Sequence, residues 1–128
     1  MWTRQERRVP MPKRILVVDD SNLLRNAISR CITDIGYEVV GKGKDGDEAV
    51  DLYRKLRPDV VTLDITMRGK DGITAAREIL QFDSNAVIIF YTLLDIPDLA
   101  AKINGIGVRQ IVRKGDEEEL LRALDAVA

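Results

Sequence analysis

Apolar residues recur along this chain in two alternating rhythms. Unbroken runs appear at Ile15-Leu16-Val17-Val18, Val60-Val61-Thr62-Leu63 and Ala86-Val87-Ile88-Ile89-Phe90-Tyr91, and Val108 to Arg113 reads as a further strand. Short runs rich in β-branched residues, without polar alternation, predict strands buried on both faces. Glu38-Val39-Val40-Gly41 is more polar, as suits a sheet edge. Between the runs the spacing turns helical. Leu23, Leu24, Ala27, Ile28, Cys31, Ile32 and Ile35 predict an inward face that Gly36 ends, with Ser21 or Asn22 as its cap. Ala49, Leu52, Tyr53 and Leu56 follow a capping box at Asp45 to Glu48 and stop before Pro58. Ile73, Ala76, Ile79 and Leu80 follow the Asp71-Gly72 turn. A short helix opens at Asp95 and Pro97 and ends at Asn104-Gly105, and Leu120, Leu121, Leu124 and Val127 follow the acidic start Asp116-Glu117-Glu118-Glu119.

Five strands thus alternate with five helices. Strict alternation implies an α/β domain over residues 13–128, with a parallel sheet and helices on both faces. Residues 1–12, with Arg4, Arg7, Arg8, Pro10 and Pro12 and no periodicity, read as a flexible leader.

The polar residues that close the strands carry the chemistry. The first strand ends in Asp19 and Asp20, the third in Asp64, the fourth in Thr92 and the fifth in Lys114. Parallel strands deliver their carboxyl ends to one edge of the sheet, where open α/β sheets bind ligands. Taken singly, these residues read as caps, turn formers or a solvated strand end. Their joint position at four strand exits is what points to a site. Two unit charges about 4 Å apart repel by roughly 4 kcal/mol at an effective dielectric near 20, so three carboxylates together need a cation. All-oxygen ligands suit a hard ion such as Mg²⁺. Carboxylates, a metal, a hydroxyl and a lysine together can accept a phosphoryl group, with a carboxylate oxygen as in-line nucleophile.

Composition narrows the choice. The chain has no histidine, which excludes histidine triads, histidine metal sites and a phosphohistidine of its own. A net charge of −1 supplies no overall field for nucleic acid. No apolar run approaches the roughly 20 residues of a membrane span. The single Cys31 suits a reducing compartment, hence the cytoplasm, and reads as a small apolar filler.

In these motifs the chain resembles the receiver domain of bacterial two-component response regulators, of the single-domain chemotaxis type. The resemblance rests on Ile15 to Ser21, on Pro58 to Asp64 with Met67 and Asp71-Gly72, and on Thr92, Gly107 and Lys114. It implies the flavodoxin-like strand order 2-1-3-4-5. It implies that Asp64 is the phosphoacceptor, that Asp20, Asp64 and the backbone carbonyl of Thr66 bind Mg²⁺ directly, and that Asp19 does so through water. Thr92 would hydrogen-bond the phosphoryl oxygen and Lys114 would pair with it. The donor would be a phosphohistidine on a sensor histidine kinase or a histidine phosphotransfer protein. The readout face would be the fourth helix, fifth strand and fifth helix, bearing Lys102, Arg109 and Gln110, on a monomer or transient dimer. The chain departs from the family at four places. Gly115 stands where proline follows the lysine, Ile111 where an aromatic ring turns inward, Leu93 where a small residue follows the threonine, and Arg68 where proline is common. The departures predict a trans bond at Gly115, crowding of Thr92 by Leu93, and an output that does not use the usual aromatic switch. Thr66 and Leu94 stand where the family tunes hydrolysis.

The leading expectation is a phosphorylation-switched signalling module that is not itself an enzyme and does not bind DNA directly. A phosphorylation-independent adaptor on the same fold is one alternative. A small Mg²⁺-dependent aspartyl-phosphate phosphohydrolase is another, although Asp64-Ile65-Thr66 lacks a second acid two residues on. A nucleotide or flavin binder would need a glycine-rich loop where the first turn has Asp19-Asp20-Ser21.

Overall fold

The computed structural model describes residues 13–93, 96–103, 105–108 and 110–127. The expected leader and the expectations for Leu94, Asp95, Asn104 and Arg109 lie outside the described residues. Five strands, β1 (Arg14–Val18), β2 (Glu38–Gly43), β3 (Val60–Leu63), β4 (Ile88–Thr92) and β5 (Gln110–Arg113), alternate with five helices. The helices are α1 (Asn22–Asp34), α2 (Gly46–Leu56), α3 (Gly72–Phe82), α4 (Ile96–Ile103) and α5 (Glu117–Val127). The strands form one parallel sheet in the expected order β2-β1-β3-β4-β5.

Alternation along each strand divides the core in two. Leu16, Val18, Val61, Leu63, Ile88 and Phe90 face one way, into a cluster with Ala49, Tyr53, Ala76 and Ile79 of α2 and α3. Ile15, Val17, Val60, Ile89, Tyr91 and Val112 face the other way, against Ile28 and Ile32 of α1 and Leu120 and Leu124 of α5. β2 extends beyond its expected end at Gly41. Its register slips between Ile15 and Leu16, so Leu16, Val17 and Val18 pair with Gly41, Lys42 and Gly43.

The helix ends follow local chemistry. Ser21, Asp45 and Asp71 each place a side-chain oxygen on a backbone N–H three residues on, at 3.2, 2.8 and 2.8 Å. The reciprocal arm of the expected capping box is displaced by one residue, since Glu48 Oε1 accepts from the N–H of Lys44 at 2.9 Å. At α5, Asp116 Oδ1 accepts from the N–H of Glu119 at 3.0 Å.

The face of α1 is a correction. Leu23 is 79% exposed, Leu24 and Ile35 are also exposed, and Ala27 lies on the solvent side. The buried residues are Ile28, Ser29 and Ile32. Two polar side chains turn the helix. Arg25 donates to the carbonyl oxygen of Asp19 at 2.7 Å, and the Ser29 hydroxyl donates to the carbonyl of Arg25 at 2.7 Å. With these groups satisfied, the inward stripe becomes 25, 28, 29 and 32. Cys31 is half-buried and its thiol donates to the Glu117 carboxylate on α5. That hydrogen bond is the main cause that pushes the thiol up to about 11, so it is an unreactive contact between helices.

The rotated face is testable by urea denaturation. Ile32→Ala is expected to cost about 2–5 kcal/mol, whereas Leu23→Ala is expected to change stability by no more than about 0.5 kcal/mol. Equal losses would return Leu23 to the core.

Candidate functional site

Three of the four charged side chains expected at the edge, Asp19, Asp64 and Lys114, belong to the first residue beyond a strand, and the backbone N–H of each is the closing rung of a parallel ladder. The N–H of Asp19 donates to the Gly43 carbonyl at 3.0 Å, that of Asp64 to the Val18 carbonyl at 3.0 Å, and that of Lys114 to the Thr92 carbonyl at 2.9 Å. The sheet therefore sets the position of all three. Asp19 and Asp64 are 1% and 3% exposed, Thr92 is fully buried, and Asp20 lies in solvent at the rim.

The carboxylates of Asp19, Asp20 and Asp64 each offer an oxygen, and the three oxygens lie within 4.8 Å of one another. Lys114 Nζ sits between the two buried acids, 2.8 Å from Asp19 Oδ2 and 2.9 Å from Asp64 Oδ2. Its contact with Asp64 has hydrogen-bond geometry. Asp19 Oδ1 accepts from the N–H of Ser21 at 2.9 Å, while the buried Asp19 Oδ2 meets the ammonium as an ion pair and lacks a directed hydrogen bond. A buried carboxylate oxygen left in that state, among two other carboxylates, fits a hard cation that keeps part of its water shell.

Burial pushes the Asp64 carboxyl above its ordinary value. Lys114 opposes this by hydrogen bond and charge, Asp19 adds to the rise, and the net direction is upward. For Lys114, burial disfavours the ammonium, but its bonds to Asp19 and Asp64 outweigh that and raise its pKa.

The loop after Asp64 is held from below. Ile65 and Met67 are buried, and the N–H of Gly72 donates to the Ile65 carbonyl at 2.8 Å. A Cβ on Gly72 would lie 2.1 Å from the Asp64 carbonyl oxygen, so only glycine permits this approach of α3 to the site. Lys70 bridges Asp47 of α2 at 3.1 Å and Glu78 of α3 at 2.5 Å, which fastens the far end of the loop. Thr66 is exposed on this loop.

The residues from 15 to 125 match the family described as the response regulator receiver domain. The chain belongs to that family. This receiver is 38% identical over 119 residues to the chemotaxis protein CheY of Thermotoga maritima, covering 92% of this chain and 99% of the relative. It is 40% identical over 115 residues to protein CcdB of Bacillus subtilis, covering 89% and 96% of the two. Among solved structures, the CheX–CheY–BeF3–Mg²⁺ complex from Borrelia burgdorferi superposes with a TM-score of 0.87 at 32% identity, covering 91% of this chain and 90% of that one. The family binds Mg²⁺ at an acidic pocket, and the three aspartates of this receiver lie close enough together to hold a metal ion.

The structure brings the expected Asp19, Asp20, Asp64 and Lys114 together at the receiver's sheet edge and places Thr92 as the last residue of β4. Sequence reasoning missed Arg25, Lys70 and the steric role of Gly72. The signal for Gly72 was present in Asp71-Gly72, read only as a turn. Nothing marked Lys70 or Arg25 among the chain's other cations. Around the family's switch positions, Leu93 is 67% exposed, with its bulk largely in solvent. Ile111 packs against the cluster of the α2 and α3 face. The described residues contain no cis peptide, so the bond at Gly115 is trans as expected.

The raised carboxyl gives a signed prediction. Because Asp64 holds its proton more tightly folded than unfolded, stability falls as pH rises from the unfolded carboxylate value through the raised folded value. At neutral pH, without metal, Asp64→Asn is expected to raise Tm, and the gain shrinks as the medium is acidified through that window. An equal Tm for both proteins at every pH would show that the Asp64 charge is fully compensated.

Proposed function

We propose that Asp64 accepts a phosphoryl group from a phosphohistidine on a sensor histidine kinase or phosphotransfer protein, and that the product changes binding to a downstream protein. The observation that carries this reading is the Lys114 ammonium held between the buried carboxylates of Asp19 and Asp64 at the exits of β1 and β3. A buried acid whose charge is poorly compensated, beside a fixed cation and a second acid, is prepared to form a covalent bond to a group that arrives with its own counterion.

Asp19, Asp20, Asp64 and the backbone carbonyl of Thr66 would hold Mg²⁺. When bound, the ion supplies positive charge that screens the acids from the incoming phosphoryl oxygens. An Asp64 carboxylate oxygen attacks phosphorus, and the P–N bond of the donor breaks in line. The imidazole leaves with the bonding pair and takes a proton from water. Lys114 turns its charge to the new phosphoryl oxygens, and the Thr92 hydroxyl donates to one of them. The product adds about two negative charges and three acceptor oxygens between these residues. The pull on β4 and β5 reaches the face of α4, β5 and α5, where Lys102 is exposed and Gln110 half-buried. With Ile111 already packed in the core, the response on this face is a shift of α4 and β5 and not an inward swing of a ring. The described residues contain no helix long and apolar enough to cross a membrane.

The test mixes the protein with Mg²⁺ and acetyl phosphate and follows intact mass. One phosphoryl group per chain is expected, with no labelling in Asp64→Asn and none after chelation of the metal. Continued release of phosphate with turnover would instead support a phosphohydrolase. An unlabelled wild-type chain that still binds its partner would support the adaptor.

A further inference from the structure

Lys114 is the only cation placed between the two buried acids among the described residues, and its reach depends on how its backbone is held. The N–H of Lys114 is fixed to the Thr92 carbonyl at 2.9 Å. The next N–H, that of Gly115, donates to the hydroxyl oxygen of Tyr91 at 2.9 Å. Tyr91 is 4% exposed, with its ring packed on the α1 and α5 face of the sheet. Two neighbouring residues of one strand therefore hold the N–H groups on either side of the Lys114 α-carbon. Such a pair of bonds restricts both backbone torsions of Lys114, and so the arc its ammonium sweeps.

The arrangement needs both of its members. Proline at 115 would have no N–H to give. Gly115 has φ +96°, a left-handed conformation, yet nothing lies within 4 Å of where its Cβ would be. The glycine thus serves backbone torsion and not space, and it lets the turn close with the N–H of Asp116 on the Arg113 carbonyl at 3.1 Å. Asp116 then caps α5. The turn from the phosphate-sensing lysine to the helix is continuous, and Tyr91 is the one side chain from the sheet bonded to its backbone among the described residues.

We propose that Tyr91 is a positioning residue for Lys114: its hydroxyl fixes the Lys114–Gly115 peptide and so aims the ammonium at Asp19, Asp64 and the transferred phosphoryl group. This rests on the proposed phosphoryl transfer to Asp64 for its consequence, but the aiming itself is a property of the resting protein.

The test uses the full chain and Tyr91→Phe, which keeps the ring and removes the oxygen. Amide exchange at Gly115 is expected to accelerate while that at Lys114 stays unchanged. The nitrogen-15 ammonium signal of Lys114, sharp when the group is held in its ion pair, is expected to broaden. The rate of labelling by acetyl phosphate is expected to fall about two- to tenfold, the worth of one hydrogen bond. In a Lys114→Met background, Tyr91→Phe is expected to have no further effect on that rate. An unchanged ammonium signal overturns the proposal, as does an undiminished effect of Tyr91→Phe without the lysine. If the wild-type chain is never labelled, phosphoryl transfer to Asp64 fails as a reading, while the ammonium signal still decides whether Tyr91 aims Lys114.

Discussion

A parallel ladder ends where its strands end, and here its closing rungs are the N–H groups of the residues gathered at the candidate site. Asp19 is tied to Gly43, Asp64 to Val18 and Lys114 to Thr92. No loop has to fold correctly for the two buried carboxylates and the ammonium to meet, because the registers of β1 with β3, β3 with β4 and β4 with β5 already bring them together. The rest of the molecule serves that register. The core on each face of the sheet holds the strands, and the close approach of Gly72 to the Asp64 carbonyl seats α3 beneath the site.

The electrostatic consequence follows from burial. Two acids with 1% and 3% exposure share one lysine, so the cluster is short of positive charge at rest. Such an imbalance costs stability, and proteins keep it where a ligand or a covalent change relieves it. In the proposed reaction a divalent cation would neutralise the acids and a phosphoryl group would give Lys114 a new partner.

Much of this was legible in the sequence because it depended on short-range rules. Unbroken apolar runs marked β1, β3 and β4, Asp45 and Asp71 marked helix starts, and the residues after the strands marked the expected site edge. What was not legible depended on which of two satisfied arrangements had the lower energy. The apolar arc of α1 is wide enough to allow either face inward, and the choice fell to Arg25 and Ser29, whose hydrogen bonds turn Leu23 and Leu24 outward. Cross-chain pairs such as Lys70 with Glu78, or Gly115 with Tyr91, leave no periodic trace, since each needs only one residue at one distance. The lengthened β2 likewise came from a one-residue slip against β1 that no pattern within β2 announces.

The central claim is that Asp19, Asp20 and Asp64 form one cation site at the sheet edge. The most direct measurement is a Mg²⁺ titration of the nitrogen-15 labelled protein, following the amides of residues 19–21 and 64–66, repeated with Asp19→Asn and Asp20→Asn. The account predicts saturable shifts for both segments along a single binding curve, with affinity reduced by either substitution. Shifts in one segment only, or an affinity indifferent to both substitutions, would contradict it.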